Sequence, residues 1–175
     1  MKKTTFLTTC TLAFVMLFSV QTYAQKFASL DKSPLDIAYF RTDRNATPMV
    51  KVIYSRPQLK DRSLSELAPN GKIWRTGANE ATEIKFFQDM TFAGKKVKAG
   101  TYSLFTIPGD TEWTIILSSD LDVWGAYSYK EANDVLRAKV PVSKGETVEA
   151  FSIAFEDNTM FLAWDTVRIA IPVSK

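Results

Sequence analysis

Apolar and polar residues alternate with a period of two over most of the chain beyond residue 48. In the segment VKVIYS (50–55), for example, Val50, Val52 and Tyr54 occupy every second position. This spacing places their side chains on one face of an extended strand. The segments that show strand-like composition or alternation are 50–55, 82–87, 90–92, 101–107, 113–117, 134–140, 151–155, 160–164 and 167–173.

Turn residues separate these strands at short intervals, and no long segment has the 3.6-residue period of a helix. Pro57 ends the first strand because proline cannot donate to a β-ladder. Pro108-Gly109-Asp110 and Asp157-Asn158 are turn sequences, and Ser63 with Glu66 has the capping-box spacing that predicts one helical turn. About nine strands in this pattern are typical of an antiparallel sandwich or barrel. We predict an all-β fold, a single antiparallel β-sandwich of about nine strands with an N-terminal arm.

The start of the chain has the three-part layout of a secretory signal peptide. A basic start, Met1–Lys3, precedes the apolar run Leu12–Val20, and the small residue Ala24 follows. The run is about half as long as the roughly 20 apolar residues that a membrane-spanning helix needs. We therefore expect cleavage after Ala24 and no membrane span in the mature chain. Gln25 stands where a lipoprotein would carry cysteine, so the sequence indicates a soluble exported protein, with the periplasm as its location.

Three segments follow from these observations. Residues 1–24 are the predicted signal peptide, and residues 25–47 form an N-terminal arm of mixed composition with one short strand near 36–40. Residues 48–175 form the β-sandwich domain, in which no repeat or linker indicates a further boundary.

Composition excludes several classes of function. Removal of Lys2 and Lys3 with the signal peptide changes the formal net charge from +3 to +1, which is too small for an electrostatic nucleic-acid binder. The same cleavage removes Cys10, the single cysteine, so the mature chain cannot form a disulfide. The chain has no histidine, which excludes Ser-His and Cys-His nucleophile pairs and every His-ligated metal. We expect neither a metal nor a cofactor.

Two loops and one strand end concentrate polar and aromatic residues. The loop 73–82 carries Arg, Asn and Glu around Gly77, and the loop 123–129 carries three aromatic residues spaced by small ones. Binding groups concentrate on such loops. Planar aromatic side chains and bidentate guanidinium donors suit a carbohydrate or a carboxylate-bearing glycan. The candidate ligand-binding residues are Arg56, Trp74, Arg75, Asn79, Glu80, Trp124 and Tyr127.

These residues are also open to other interpretations. In a structural one, Arg75 pairs with Glu80 or Glu83 to hold its loop, and Trp124 and Tyr127 close one end of the sandwich. In an enzymatic one, the acid and base must be carboxylates, a lysine or a tyrosine, because histidine is absent. Glu80 with a second carboxylate, or Arg75 with Tyr127, would then carry the reaction.

Five segments resemble one known family. They are Tyr54–Pro57, Trp74–Thr82, Ala99–Pro108, Trp124–Tyr129 and Asp134–Arg137. In this order they are similar to a bacterial family of domains of unknown function (number 2911), which is common in exported proteins of Bacteroidota. The resemblance implies an exported β-rich domain and no particular activity, and it places the polar and the aromatic loop in the same domain.

Three hypotheses about function follow. The leading one is a non-enzymatic periplasmic module with a pocket at the loop end of the sandwich, which binds a small molecule or a glycan. The second is a small enzyme that acts on envelope glycans through carboxylate or Arg/Tyr chemistry. The third is a structural or interaction module whose polar loop only holds the sandwich together.

The signal-peptide interpretation predicts the N-terminus of the exported protein. Expressed from its full sequence in a Gram-negative host, the periplasmic product should begin at Gln25 by N-terminal sequencing and intact mass. Ala24→Arg should block cleavage, because the signal peptidase requires a small residue there. Ala28→Arg, beyond the cleavage site, is the matched control and should be processed normally. A product that retains Met1 in the cytosol would contradict the interpretation.

Overall fold

Antiparallel strands make up most of the chain that the computed structural model describes, residues 25–175. The predicted signal peptide, 1–24, lies outside the described residues. The strands are β1 (Leu35–Phe40), β2 (Val50–Ser55), β3 (Thr82–Phe86), β4 (Met90–Phe92), β5 (Lys95–Val97), β6 (Gly100–Ile107), β7 (Glu112–Ser118), β8 (Asp134–Glu156) and β9 (Thr159–Ser174). The helix α1 (Leu64–Leu67) follows β2, and a 3-10 helix (Glu131–Asn133) precedes β8.

The strands hydrogen-bond into one open sheet with the order β1-β2-β3-β6-β7-β8-β9-β4-β5. All of its pairs are antiparallel. The prediction of an all-β antiparallel fold with about nine strands is confirmed, and β1 confirms the short strand predicted near 36–40. The predicted helical turn is α1, where the Ser63 side chain and the Glu66 side chain cap each other's backbone N–H groups.

The prediction of separate strands at 134–140 and 151–155 is wrong, because β8 runs through both for 23 residues. Its first half pairs with β7 and its second half with β9. The pairing with β7 extends to Pro141 and the pairing with β9 begins at Val142. Register shifts between Lys144 and Ser152 lie within the β9 pairing, where Asp165 of β9 has a φ of 49°. Bulges bend a strand without ending it, so a polar, glycine-containing segment can continue as strand. For the same reason 160–164 and 167–173 are one strand, β9.

The chain crosses from one half of the sheet to the other directly after β3. Gln88 and Asp89 lead into β4, which pairs with β5 and β9 and not with β3. The β4–β5 hairpin turns at Ala93-Gly94, where both residues have positive φ, 50° and 76°. Such a pair matches the right-handed twist of a two-residue hairpin. The crossover lets Phe92 of β4 meet Phe86 of β3 edge-on, with ring centroids 5.5 Å apart.

Four large aromatic side chains fill the space between the two halves of the sheet. Trp74 stacks on Trp164 with ring centroids 5.4 Å apart, and it meets Phe151 and Trp113 edge-on at 5.0 and 6.0 Å. All four rings are buried in the same hydrophobic cluster. The continuous sheet therefore encloses a core as a sandwich does, although its halves are not separate sheets.

A buried tyrosine joins the two halves by hydrogen bonds. Tyr54 on β2 is 2% exposed, and its hydroxyl accepts the Ile153 N–H of β8 at 2.9 Å. The same hydroxyl lies 3.3 Å from the Ile153 carbonyl oxygen and 3.4 Å from Asp36 Oδ2 on β1, to either of which it donates. Burial raises the pKa of Tyr54, so the hydroxyl remains a neutral donor.

Tyr54→Phe should lower the free energy of unfolding by about 1–3 kcal/mol, because the buried Ile153 N–H would lose its acceptor. Urea unfolding measures the change. Tyr102→Phe is the matched control: its hydroxyl donates to the Lys98 carbonyl at an exposed position, and its loss should cost well under about 1 kcal/mol. Equal effects of the two substitutions would show that the Tyr54 hydroxyl does not join the halves.

Candidate functional site

The polar loop, residues 73–82, is held to the sheet by its own backbone. Trp74 exchanges backbone hydrogen bonds with Thr106 of β6, at 2.7 and 2.9 Å. Thr82 Oγ1 donates to the Thr76 carbonyl at 2.7 Å, and Gly77 lies so close to β2 that a Cβ there would approach the Ser55 carbonyl to 3.2 Å. The loop therefore presents its side chains from a fixed backbone.

The aromatic loop, residues 123–129, lies beside the polar loop. Ala81 N–H donates to the Val123 carbonyl and Gly125 N–H to the Asn79 carbonyl, each at 2.9 Å. Glu80 and Trp124 face each other as a pair in this short antiparallel bridge. The two loops that the sequence analysis singled out are thus hydrogen-bonded neighbours, although more than 40 residues separate them in the chain.

A cavity of about 260 Å³ opens where the loops meet, and it is lined by Ile73, Trp74, Arg75, Ala126 and Tyr127. Gly125, which has a φ of 66°, lies against two of the lining residues, Arg75 and Tyr127. A Cβ at this glycine would lie 2.9 Å from Arg75 Nη1 and 2.7 Å from Tyr127 Cε2. Only glycine allows both side chains to approach the loop backbone so closely.

The Arg75 guanidinium is half-buried and unpaired in the cavity. Its Nε is buried without a hydrogen-bond partner. The ion pairs within residues 25–175 engage Arg56, Lys98, Arg137 and Lys139, and none engages Arg75. The pairing of Arg75 with Glu80 or Glu83, expected if the loop were purely structural, is therefore not formed. Buried donors without partners are costly, and the Arg75 Nε is such a donor.

The other predicted residues of the two loops differ in exposure. Tyr127 is 85% exposed and Trp124 is 58% exposed, so both rings are open to a ligand. Trp74 is buried in the core, and its Nε1 donates to the Gly77 carbonyl at 3.2 Å. Asn79 contributes its backbone carbonyl to the bridge between the loops. Glu80 lines a different cavity, also of about 260 Å³, together with Glu83 and Asp122.

Arg56 lies outside the Arg75 cavity and is engaged in structural contacts. Its guanidinium donates to Asp36 Oδ2 at 3.0 Å, to the Phe151 carbonyl at 3.1 Å and to Ser152 Oγ at 2.7 Å. These partners lie on β1 and β8, so Arg56 ties both strands to the end of β2. The structure brings Arg75 and Tyr127 to one cavity, with Trp124 on the adjoining loop, and does not place Arg56 among them.

A cluster that the sequence analysis did not select anchors the aromatic loop. Tyr129 donates to Asp134 Oδ2 at 2.7 Å, and Arg137 Nη1 donates to the same oxygen at 2.6 Å and to the Tyr129 hydroxyl at 2.8 Å. The Tyr129 ring packs edge-on against buried Phe105. Burial and the bond to Asp134 raise the pKa of Tyr129 far above its usual value, which keeps the hydroxyl protonated as a donor. The i, i+3 spacing of Asp134 and Arg137 at the start of a predicted strand is the sequence pattern that could have indicated this cluster.

Among residues 25–175, no group of three or more His, Cys, Asp or Glu side chains is arranged to hold a metal ion. The three carboxylates of the Glu80 cavity therefore do not form a coordination site. No helix in this part of the chain is both long and apolar enough to cross a membrane.

The fold and the site together define an all-β domain with a guanidinium cavity between two loops. The profile of a protein family of unknown function, DUF2911, matches residues 36–173. The chain belongs to this family, because the match covers most of its length. No curated protein and no solved structure matches the chain.

Gly125→Ala should disturb the cavity beyond the strain of its backbone. The positive φ alone costs about 1–2 kcal/mol for alanine. The new Cβ should also displace the Arg75 guanidinium and the exposed Tyr127 ring, at a further cost of up to about 1 kcal/mol because both groups can move. Gly71→Ala is the matched control, since Gly71 has a φ of 71° and open space around its Cα. Urea unfolding of the two variants measures the difference. Equal losses of stability would mean that Arg75 and Tyr127 do not pack on Gly125.

Proposed function

We propose that this chain is an exported, periplasmic, non-enzymatic module that binds a carboxylate-bearing glycan at the Arg75 cavity. The observation that carries the proposal is the unpaired Arg75 guanidinium, half-buried beside the exposed ring of Tyr127. The guanidinium groups of two other part-buried arginines, Arg56 and Arg137, are engaged by neighbouring oxygens. Arg75 is therefore a charged donor that the fold holds in place but does not pair with a carboxylate of the described chain.

A carboxylate is the group that best satisfies Arg75. The guanidinium is charged at every physiological pH and presents donors in a planar fork that matches two carboxylate oxygens. Such charge-assisted, bidentate bonds are about twice as strong as neutral hydrogen bonds. Because the side chain is half-buried, water screens the pair less than it screens an exposed ion pair.

The aromatic side chains favour a sugar ring as the rest of the ligand. Tyr127 lines the cavity with Arg75, and Trp124 lies on the same loop with more than half of its surface exposed. Flat rings pack against the apolar C–H faces of a sugar while its hydroxyls remain in water. A cavity of about 260 Å³ lies below the usual range for enclosed drug-sized ligands, so it suits one acidic sugar unit of a longer chain.

A carboxylate-pair mechanism is disfavoured by what lines the cavity. A glycosidase needs two carboxyl groups that flank one bond. None of the residues that line the Arg75 cavity carries a carboxylate, and Glu80 lines the other cavity. The structural alternative is disfavoured because an arginine that held the loop would donate to loop oxygens, as Arg56 does to its neighbours.

The test compares an oligomer of galacturonic acid with the neutral galactose oligomer of the same length and linkage, by isothermal titration calorimetry. The acidic oligomer should bind more tightly. Arg75→Met should weaken its binding by about 10-fold or more, because charge-assisted bonds contribute about 1.5–3 kcal/mol. Arg44→Met, which removes an exposed arginine outside the cavity, is the matched control and should bind normally.

Four outcomes would count against the proposal. Equal binding of the acidic and neutral oligomers would remove the role of Arg75, as would unchanged binding by a folded Arg75→Met variant. Shortening of the oligomer during incubation, abolished by Glu80→Gln or Tyr127→Phe, would favour the enzymatic alternative. No binding of either oligomer by the folded protein would favour the structural or interaction module.

A further inference from the structure

The turn between α1 and the polar loop contains the sequence Asn70-Gly71. Of the five asparagines in the chain, this is the one that glycine follows. An asparagine in this setting is chemically reactive, because glycine has no side chain to shield its backbone nitrogen from the neighbouring amide carbon. Both residues are exposed, so water reaches them. Neither residue lines the Arg75 cavity.

Two steps convert such an asparagine into an acid. In the first, the Gly71 nitrogen attacks the Asn70 side-chain carbon Cγ. A bond from this nitrogen to Cγ forms, the bond from Cγ to Nδ2 breaks, and ammonia leaves with the Gly71 amide proton. The product is a five-membered cyclic imide. In the second step, water opens the imide at either of its carbonyl carbons and leaves aspartate or isoaspartate. Water is the only co-reactant, and the product has gained a negative charge.

The backbone of the turn opposes the first step. The Lys72 N–H donates to the Pro69 carbonyl at 3.2 Å, and Gly71 has a φ of 71°, whereas the φ of Asn70 is negative. These features define a type II turn, in which the residue at the Asn70 position has a ψ of about +120°. Ring closure requires a negative ψ there, because the Gly71 nitrogen must come beside the Asn70 side chain. The turn therefore holds this nitrogen away from Cγ.

Two hydrogen bonds to the β6–β7 hairpin engage the same reacting groups. Asn70 Nδ2, the leaving nitrogen, donates to Asp110 Oδ1 at 2.5 Å. The Gly71 N–H, on the attacking nitrogen, donates to the Pro108 carbonyl at 2.9 Å. A bond to a carboxylate is stronger than one between neutral groups. Attack by Gly71 therefore requires residues 69–72 to separate from residues 108–110, and we call their association the turn–hairpin contact.

The turn–hairpin contact can open without the core. A Cβ at Gly109 would lie 2.5 Å from the Glu112 carbonyl oxygen, so the hairpin is tight and does not follow the turn outward. Beyond the turn, paired backbone bonds between Trp74 and Thr106 hold the polar loop on β6. Exposed turns of this kind open locally at a lower free energy than the whole domain.

We propose that Asn70 is a deamidation site that the turn–hairpin contact keeps unreactive, and that it acts as a one-way chemical switch. Each opening of the contact frees the Asn70 amide and the Gly71 nitrogen to react. The acid that forms cannot donate to Asp110, and the two adjacent carboxylates repel each other. Isoaspartate also adds a carbon to the backbone, which moves the Gly71 N–H away from Pro108. The product therefore keeps the contact open.

The switch lies on the wall of a cavity of about 400 Å³. Asn70 and Asp110 line this cavity together with residues of α1 and of the bend in β8 and β9, including Lys144 and Asp165. Deamidation therefore adds a negative charge to the wall of this cavity and loosens one side of it.

Mass spectrometry of the tryptic peptide 63–72 of the purified protein measures the reaction, because replacing the amide by an acid raises the peptide's mass. At mildly alkaline pH, Asn70 should deamidate at least about 10-fold more slowly in the folded protein than in the protein unfolded in urea. Asp110→Ala should accelerate the reaction of the folded protein by about 3-fold or more, because the Asn70 side chain loses its acceptor. In urea the two proteins should react at the same rate.

Two control variants separate the turn–hairpin contact from general effects. Glu156→Ala removes an exposed carboxylate at the end of β8 and should leave the rate unchanged. Tyr54→Phe lowers the stability of the whole domain without touching the turn. It should also leave the rate unchanged, because the opening that matters is local. Circular dichroism establishes that each variant is folded.

Asn70→Asp reproduces one product of the reaction. It should lower the protection of the Gly71 amide against hydrogen exchange more than Asn70→Ala, which removes the same bond without adding a charge. Equal rates in the folded and unfolded protein, no reaction in urea, or an Asp110→Ala rate equal to that of the unchanged chain would overturn the proposal. So would an equal acceleration by Tyr54→Phe, or full protection of the Gly71 amide in Asn70→Asp.

Discussion

The burial of Trp74 is the interaction on which both the fold and the site depend. This ring stacks on Trp164 and meets Phe151 and Trp113, so it joins the two halves of a single sheet. Because successive side chains of an extended segment point to opposite sides, a buried Trp74 directs Arg75 away from the core. Arg75 therefore meets the aromatic loop at Gly125 as a consequence of core packing.

Arg75 differs from Arg56 and Arg137 in its hydrogen-bond partners. Arg56 and Arg137 are part-buried and engaged by carboxylate, carbonyl, hydroxyl or phenol oxygens, and they tie β1, β8 and the aromatic loop in place. Arg75 is equally well positioned by its backbone but has no such oxygens. A part-buried arginine whose Nε lacks a partner is unusual, because buried polar groups are normally satisfied. This contrast in hydrogen bonding distinguishes Arg75 from Arg56 and Arg137.

Sequence patterns predicted strand ends, a helix start and a turn correctly, because these features depend on neighbouring residues. Pro57 follows the end of β2, the Ser63–Glu66 capping box begins α1, and Asp157-Asn158 turns between β8 and β9. The continuity of β8 was not predictable in this way. The polar segment after Val140 resembles a loop by composition, and it continues as strand only because β7 and β9 offer partners on successive halves. The non-pairing of β3 with β4 likewise depends on the packing of Phe92 in the core.

The sequence by itself determined the all-β class, the positions of most strands and turns, and the two loops that carry Arg75 and Tyr127. Those features depend on side-chain alternation and turn chemistry, which are properties of neighbouring residues. Only the tertiary structure decided that Arg56 is satisfied while Arg75 is not, and that the two loops meet at one cavity. Both depend on which strands meet across the sheet, and that pairing is set by the packing of the whole core and not by any local segment.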